Sequence, residues 1–283
     1  MKFASYVQDG HEGLAVETSD GLRGFDARAP EYRGDLAALL AQGSDLAAIA
    51  EHLATGRVLA EGTFTWRPPL TRPGKILCVG LNYADHAAET GSAVTEYPTF
   101  FLRVATTLVG HDQPMLRPAL SEQFDFEGEI AAVIGTRARN LSSDDALSAV
   151  AGYALFNDGS VRDYQRRTTQ FTMGKNFDAT GAFGPLFVSA DALPAGCAGL
   201  TLTTRLNGDV VQQASTDDMI FPVAQIVSLA SQVMTLEPGD VIVTGTPSGV
   251  GAGRTPPLWM KPGDRVEVEV DGLGVLTNPI EQG

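Results

Sequence analysis

Cysteine is scarce in this chain: Cys78 and Cys197 are the whole supply in 283 residues. Two thiols cannot build a disulfide framework, and their small or apolar neighbours point to buried, inert groups. Long apolar runs are missing as well. The longest, over residues 220–236, is interrupted by Pro222, Gln225, Ser228, Ser231 and Gln232, so no stretch reads as a membrane span. Positive charge is short, with 20 Lys and Arg against 34 Asp and Glu, a net charge of −14. Nucleic acid and anionic membrane surfaces would be repelled. An anionic small molecule would need cations placed locally, either basic side chains or a metal. The first ten residues hold no sustained apolar core of a signal peptide, and the expected location is cytoplasmic.

Glycine and proline are plentiful, 31 and 16 residues, and they separate short apolar runs. That pattern predicts an α+β, mainly β body over a helical bundle. Residues 1–26 read as a small antiparallel meander with Asp-Gly and Glu-Gly turns. Helices are predicted over 35–41 and 44–54, with Asp35 and Ser44 or Asp45 as N-caps. Trp66-Arg-Pro-Pro-Leu-Thr-Arg-Pro-Gly is too proline-rich for a helix and is read as a connector. A small N-terminal α/β domain over residues 1–70 and a larger one over 71–283 follow. In the larger part, residues 200–206 and 210–214 alternate around Asn207-Gly208-Asp209, a strong hairpin signal. Residues 221–234 form the best amphipathic helix.

The chemistry gathers around Phe124-Asp-Phe-Glu-Gly-Glu-Ile-Ala-Ala-Val-Ile-Gly. On a strand, Glu127 and Glu129 project from one face. Two carboxylates that close repel, and a divalent cation is the usual remedy. A second apolar run ends at Asp158. Three carboxylates without Cys or His suit Mg²⁺, Mn²⁺ or Ca²⁺ rather than zinc. The same spacing also fits the wet face of an amphipathic strand, and spacing alone does not choose. His86 and Glu89 lie at i and i+3 of a short predicted helix, the arrangement of a general base with its orienting carboxylate. An ordinary exposed pair has that spacing too. Lys175 reads either as a solvated charge or as a cation facing a developing enolate. The glycines of Thr244-Gly-Thr-Pro-Ser-Gly-Val-Gly lack the Gly-Lys-Ser/Thr ending of a phosphate loop, and a turn binding a carboxylate fits better.

Taken in series, these pieces resemble the fumarylacetoacetate hydrolase family, in its acylpyruvate and diketo-acid hydrolase branch. The matching words are Lys75-Ile-Leu-Cys-Val-Gly-Leu-Asn-Tyr-Ala-Asp-His, Phe126-Glu-Gly-Glu, Asp158 with Arg162-Asp163, Gly174-Lys175, Thr244-Gly-Thr-Pro and Lys261-Pro-Gly-Asp. They cover residues 71–283. The resemblance implies a mixed β-sandwich roll, a homodimer, and an Mg²⁺, Mn²⁺ or Ca²⁺ ion on Glu127, Glu129 and Asp158. It makes His86 and Glu89 the water-activating pair, Lys175 the enolate-facing cation, and Arg162, Gln165 and Thr246 substrate contacts. Arg103 stands where relatives often carry Lys, as a further substrate-side charge. The implied activity is hydrolysis of a C–C bond in a 2,4-diketo acid of acylpyruvate type, from aromatic or sugar-acid catabolism. A decarboxylase or keto–enol isomerase of 2-oxo acids such as oxaloacetate would use the same metal and lysine without activated water. A non-catalytic, metal-stabilised β module is the third reading, and Lys175, Arg162 and His86 argue against it. Loops over 91–98 and 166–173 are expected to set the distal specificity.

Overall fold

The computed structural model describes residues 1–89 and 96–283. Alternation of apolar residues on the central strands sets the layers. Strand Gly128–Ile134 pairs antiparallel with Val150–Asn157 on one side and Val241–Val243 on the other. All seven of its residues are buried, so both of its faces must be covered. Ile130, Ala132 and Ile134 face a five-stranded sheet through Leu202, Val266, Val268 and Leu276. Ala131 and Val133 face the other way, toward Leu36, Leu39, Leu40, Ile49 and Leu53 of the two N-terminal helices. The result is a sandwich with helices on its outer side, α+β and mainly β.

The large sheet runs Arg57–Val58, Gly21–Asp26, His11–Thr18, Lys2–Gln8, Gly181–Ser189, Val150–Asn157, Gly128–Ile134, Val241–Val243, Ile76–Gly80, Thr99–Arg103. The smaller sheet runs Asp209–Ser215, Thr201–Leu206, Arg265–Val270, Gly274–Gln282, Met115–Arg117. The expected N-terminal meander is present, and its first strand pairs with Gly181–Ser189 through Lys2↔Val188 and Phe3↔Phe187. Main-chain hydrogen bonds therefore cross the sequence boundary near residue 70.

The helices Leu36–Ala41 and Leu46–Ala54 are capped by Asp35 and Asp45, whose carboxylates accept from Ala38 and Ala47 N–H. Asn207 and Gly208 both take positive φ at the predicted hairpin turn. Helix Val223–Val233 begins after Pro222. Both cysteines are buried and unpaired. Burial raises the Cys78 thiol well above its ordinary range, and nearby Asp158 and Glu129 push the same way. Among the described residues, no helix is long and apolar enough to cross a membrane.

Candidate metal centre and active site

Glu127 precedes the Gly128–Ile134 strand and Glu129 lies in it, while Asp158 follows Val150–Asn157, its neighbour in the sheet. Paired ends bring the three together: one oxygen of each lies within 4.8 Å of the others, and all three residues are buried. Gly128, between the two glutamates, faces the other sheet. A Cβ there would stand 2.1 Å from Thr204 Oγ1. The Glu-Gly-Glu word thus puts its acids toward the site and its missing side chain toward the tightest point of the sandwich.

Lys175 ends the short helix Thr172–Lys175 and is almost wholly buried. Its Nζ donates to Glu127 Oε2 at 2.5 Å and to Asp158 Oδ2 at 2.6 Å, and it lies 5.0 Å from the Phe101 ring centre. Burial lowers its pKa, but Asp158 and Glu127 outweigh burial and raise it above the ordinary lysine value. Arg162 opens the helix Arg162–Gln165. Its Nε donates to Asp125 at 2.7 Å and its Nη1 to Gln165 Oε1 at 2.8 Å. Its Nη2 stands 2.6 Å from Glu127 Oε1 but outside hydrogen-bonding angles, so that contact is an ion pair only. Burial pushes the Glu127 carboxyl up, yet Arg162, Lys175 and His86 together hold it at about 2.

Glu129 is different. Among the described residues it accepts a hydrogen bond from Gly245 N at 2.5 Å and makes no ion pair. Burial, then repulsion from Asp158 and Glu127, drives its carboxyl well above the usual range. Four buried carboxylates, Asp125, Glu127, Glu129 and Asp158, meet three buried cations, Arg103, Arg162 and Lys175. The cluster is one positive charge short of ionising fully. An all-oxygen donor set with that deficit fits a hard divalent cation, whose charge would offset the repulsion among the three carboxylates.

Four of these seven groups line a cavity of about 550 Å³, a small-molecule size, while Asp125, Asp158 and Arg103 stand behind its wall. Glu127, Glu129, Lys175, Arg162, Gln165, Thr246 and His86 all reach it, with Phe101, Phe171, Val79 and Leu81 as its apolar wall. His86 and Glu89 lie on the helix Ala84–Glu89, with Nδ1 3.3 Å from Glu89 Oε2. Burial pushes Glu89 up, but the His86 contact and the Gly249 N–H outweigh it and leave the carboxyl low.

Two expected substrate contacts sit otherwise. Arg103 does not reach the cavity. Its guanidinium braces Asp158 from behind at 2.5 Å and is held by Gly159 O, Thr180 and Thr107. Thr246 lines the cavity, but its hydroxyl proton goes to Gly128 O and Gln212 donates to its oxygen. The side chain braces the strand that carries Glu129. Of the expected specificity loops, Arg166, Thr168 and Phe171 line the cavity. Residues 91–95 of the other lie outside the described residues. Sequence reasoning missed Asp125, although the two-residue alternation that pairs Glu127 with Glu129 reaches it one step earlier.

Residues 75–281 match the family model described as fumarylacetoacetate (FAA) hydrolase, C-terminal. The chain is 37% identical over 281 residues to oxaloacetate tautomerase FAHD2A, mitochondrial, of Bos taurus, covering 98% of this chain and 89% of that protein. A solved fumarylacetoacetate hydrolase from psychrophilic Exiguobacterium antarcticum superposes with a TM-score of 0.86 at 35% identity, over 100% of both chains. A 2-hydroxyhepta-2,4-diene-1,7-dioate isomerase from Mycobacterium marinum gives 0.77 at 32% identity, over 100% of this chain and 98% of the other.

Proposed function

This chain belongs to the fumarylacetoacetate hydrolase family, and from that premise we propose that it is a divalent-cation-dependent keto–enol tautomerase of a 2-oxo acid of oxaloacetate type. The observation that carries the enolate chemistry is Lys175, buried and charged between Glu127 and Asp158 in the cavity lining. A structural ion has no use for a lysine there, whereas an enolate does. A relative 37% identical over nearly the whole chain is named an oxaloacetate tautomerase.

Glu127, Glu129 and Asp158 would hold the cation. Bound there, it supplies a Lewis acid for the chelating oxygens of a 2-oxo acid. Arg162, oriented by Asp125 and Gln165, offers its charge to the substrate carboxylate against the chain's negative field. Donation of the Nδ1 proton to Glu89 leaves Nε2 as the basic nitrogen of His86. His86 takes the proton from the carbon next to the ketone. Lys175 faces the growing negative charge on oxygen and keeps its own proton, because its carboxylate neighbours hold its pKa high. The enolate oxygen is protonated from solvent and His86 returns its proton to solvent, so the net change is a shifted proton and a shifted double bond.

C–C hydrolysis of an acylpyruvate is the second reading. The same dyad can deprotonate water, and a neighbour at 35% identity is titled a hydrolase. The test is an ultraviolet assay of the enol band of oxaloacetate, run beside a panel of acylpyruvates with Mg²⁺ added and then chelated. Mg²⁺-dependent relaxation of the enol band, abolished in His86→Ala, is expected. Unchanged relaxation with cleavage of an acylpyruvate would move the assignment to hydrolysis. The proposal keeps the expected homodimer, checked by sedimentation.

A further inference from the structure

Residues 249–253 read Gly-Val-Gly-Ala-Gly, a turn that the mechanism above leaves unused. In the fold it is clamped between two carboxylates. On one side the Gly249 N–H donates to both Glu89 oxygens, at 3.0 and 3.1 Å. Gly253 lies flat against the same side chain, and a Cβ on it would stand 2.4 Å from Glu89 Cγ and Cδ. On the other side is Asp125, fully buried. Its Oδ1 accepts from Gly251 N at 2.7 Å and Phe126 N at 2.9 Å. Its Oδ2 accepts from Ala252 N at 3.0 Å and Arg162 Nε at 2.7 Å. All of its acceptor capacity is in use, and it does not line the cavity.

An unbroken series of contacts therefore joins Gln165, Arg162, Asp125, the glycine turn, Glu89 and His86. We propose that Asp125 is a positioning residue. It sets the anion-binding guanidinium and the proton-transferring dyad in one mutual geometry by fixing Arg162 with one oxygen and the turn under Glu89 with both. The inference rests on the dyad reading of His86 and Glu89. A displacement of about 1 Å at a reacting group costs on the order of 10²-fold in rate, which is why a residue outside the cavity can govern turnover. A carboxylate is needed because all four partners are donors. The isosteric amide of Asn presents an NH₂ to one pair of them.

Asp125→Asn is the first test. Turnover on the substrate is expected to fall on the order of 10²-fold, with a higher KM from the loosened Arg162. Mn²⁺ affinity measured by calorimetry should change far less than turnover, since Glu129 and Asp158 do not touch Arg162 and Glu127 keeps its bond from Lys175. Glu89→Gln is measured alone and on the Asp125→Asn background. Positioning through the turn predicts that the glutamine costs less in the double variant than alone. A merely structural aspartate would lower the melting temperature while the two losses multiplied, and that outcome overturns the proposal. Gly253→Ala serves where Asp125→Asn does not fold: it pushes Glu89 off the turn and should lower kcat at constant KM. Wild-type turnover in Gly253→Ala would sink the proposal as well. Glu89→Gln alone at wild-type turnover would instead sink the dyad reading, with the KM rise in Asp125→Asn still reporting the link to Arg162.

Discussion

A lysine removed from water is an electrostatic liability unless carboxylates surround it, and Lys175 has two within 2.6 Å. Replacing it by methionine keeps the volume and strips the charge from between Glu127 and Asp158. Turnover of Lys175→Met should fall by about 10²–10³. The protein should lose on the order of 3–5 kcal/mol, because two buried carboxylates are left facing each other. Saturating Mn²⁺ should restore part of the melting temperature and none of the rate. A variant that melts and turns over like wild type would remove the lysine from the site's electrostatics. Far from the cavity, Asp26 makes the same physics visible to acid. Hydrogen bonds from Arg28 hold its carboxyl at about 2, burial opposes them, and Arg57 adds to the lowering. A depressed carboxylate stabilises above its unfolded pKa of 3.8 and loses that contribution as pH falls through about 2. With both guanidiniums 40–50% exposed, screening reduces the worth of the cluster to about 1 kcal/mol. Urea midpoints of Asp26→Asn should therefore lie below wild type at pH 7, and the gap should close toward pH 2.

Elements with local signals were legible before any coordinates. The capped helices at Asp35 and Asp45, the hairpin at Asn207-Gly208 and the helix after Pro222 each carry their own caps or turn residues. The Glu127–Glu129 alternation and the i, i+3 spacing of His86 and Glu89 are local in the same sense; both glutamates of the first pair and His86 of the second line the cavity, with Glu89 behind His86. What the sequence left open depends on contacts between distant segments. Arg103 turns away from the cavity because Asp158, Gly159 and Thr180, all more than fifty residues on, converge behind the strand. The hydroxyl of Thr246 is spent on Gly128 O, a partner 118 residues earlier. Gly128 shows how an element can be fixed by the layer it faces. Its absent side chain leaves room for Thr204 Oγ1, a buried hydroxyl with no hydrogen-bond partner among the described residues. Gly128→Ala should cost about 1–3 kcal/mol from overpacking. Thr204→Ala on that background should recover part of the loss, because it deletes the clashing atom. Additive costs in the double variant would show that the two layers are not in contact there.

At the scale of the whole molecule, the N-terminal seventy residues and the remainder share one sheet and one apolar face. Phe3, Leu14 and Val16 pack in the same cluster as Ala131, Phe156, Phe183 and Phe187, and the two capped helices close that cluster from outside. The strand carrying Glu129 is thereby supported on both faces, by the small sheet on one and by the N-terminal helices on the other. Support of that kind is what a cluster of four buried carboxylates needs, since their mutual repulsion would otherwise spread the strands. Leu39, 2% exposed, sits at the centre of the outer layer. Leu39→Ala removes apolar surface some distance from every site residue and should cost about 2–5 kcal/mol. The two tryptophans fall on either side of the sequence boundary, Trp66 in the strand paired with Lys2–Gln8 and Trp259 beyond the glycine turn. If the shared core makes the chain a single cooperative unit, fluorescence and far-ultraviolet dichroism should report one urea transition, shifted as a whole in Leu39→Ala. An early transition seen by Trp66 alone, with turnover intact, would instead make the N-terminal part a separately folding domain that merely abuts the catalytic sheet.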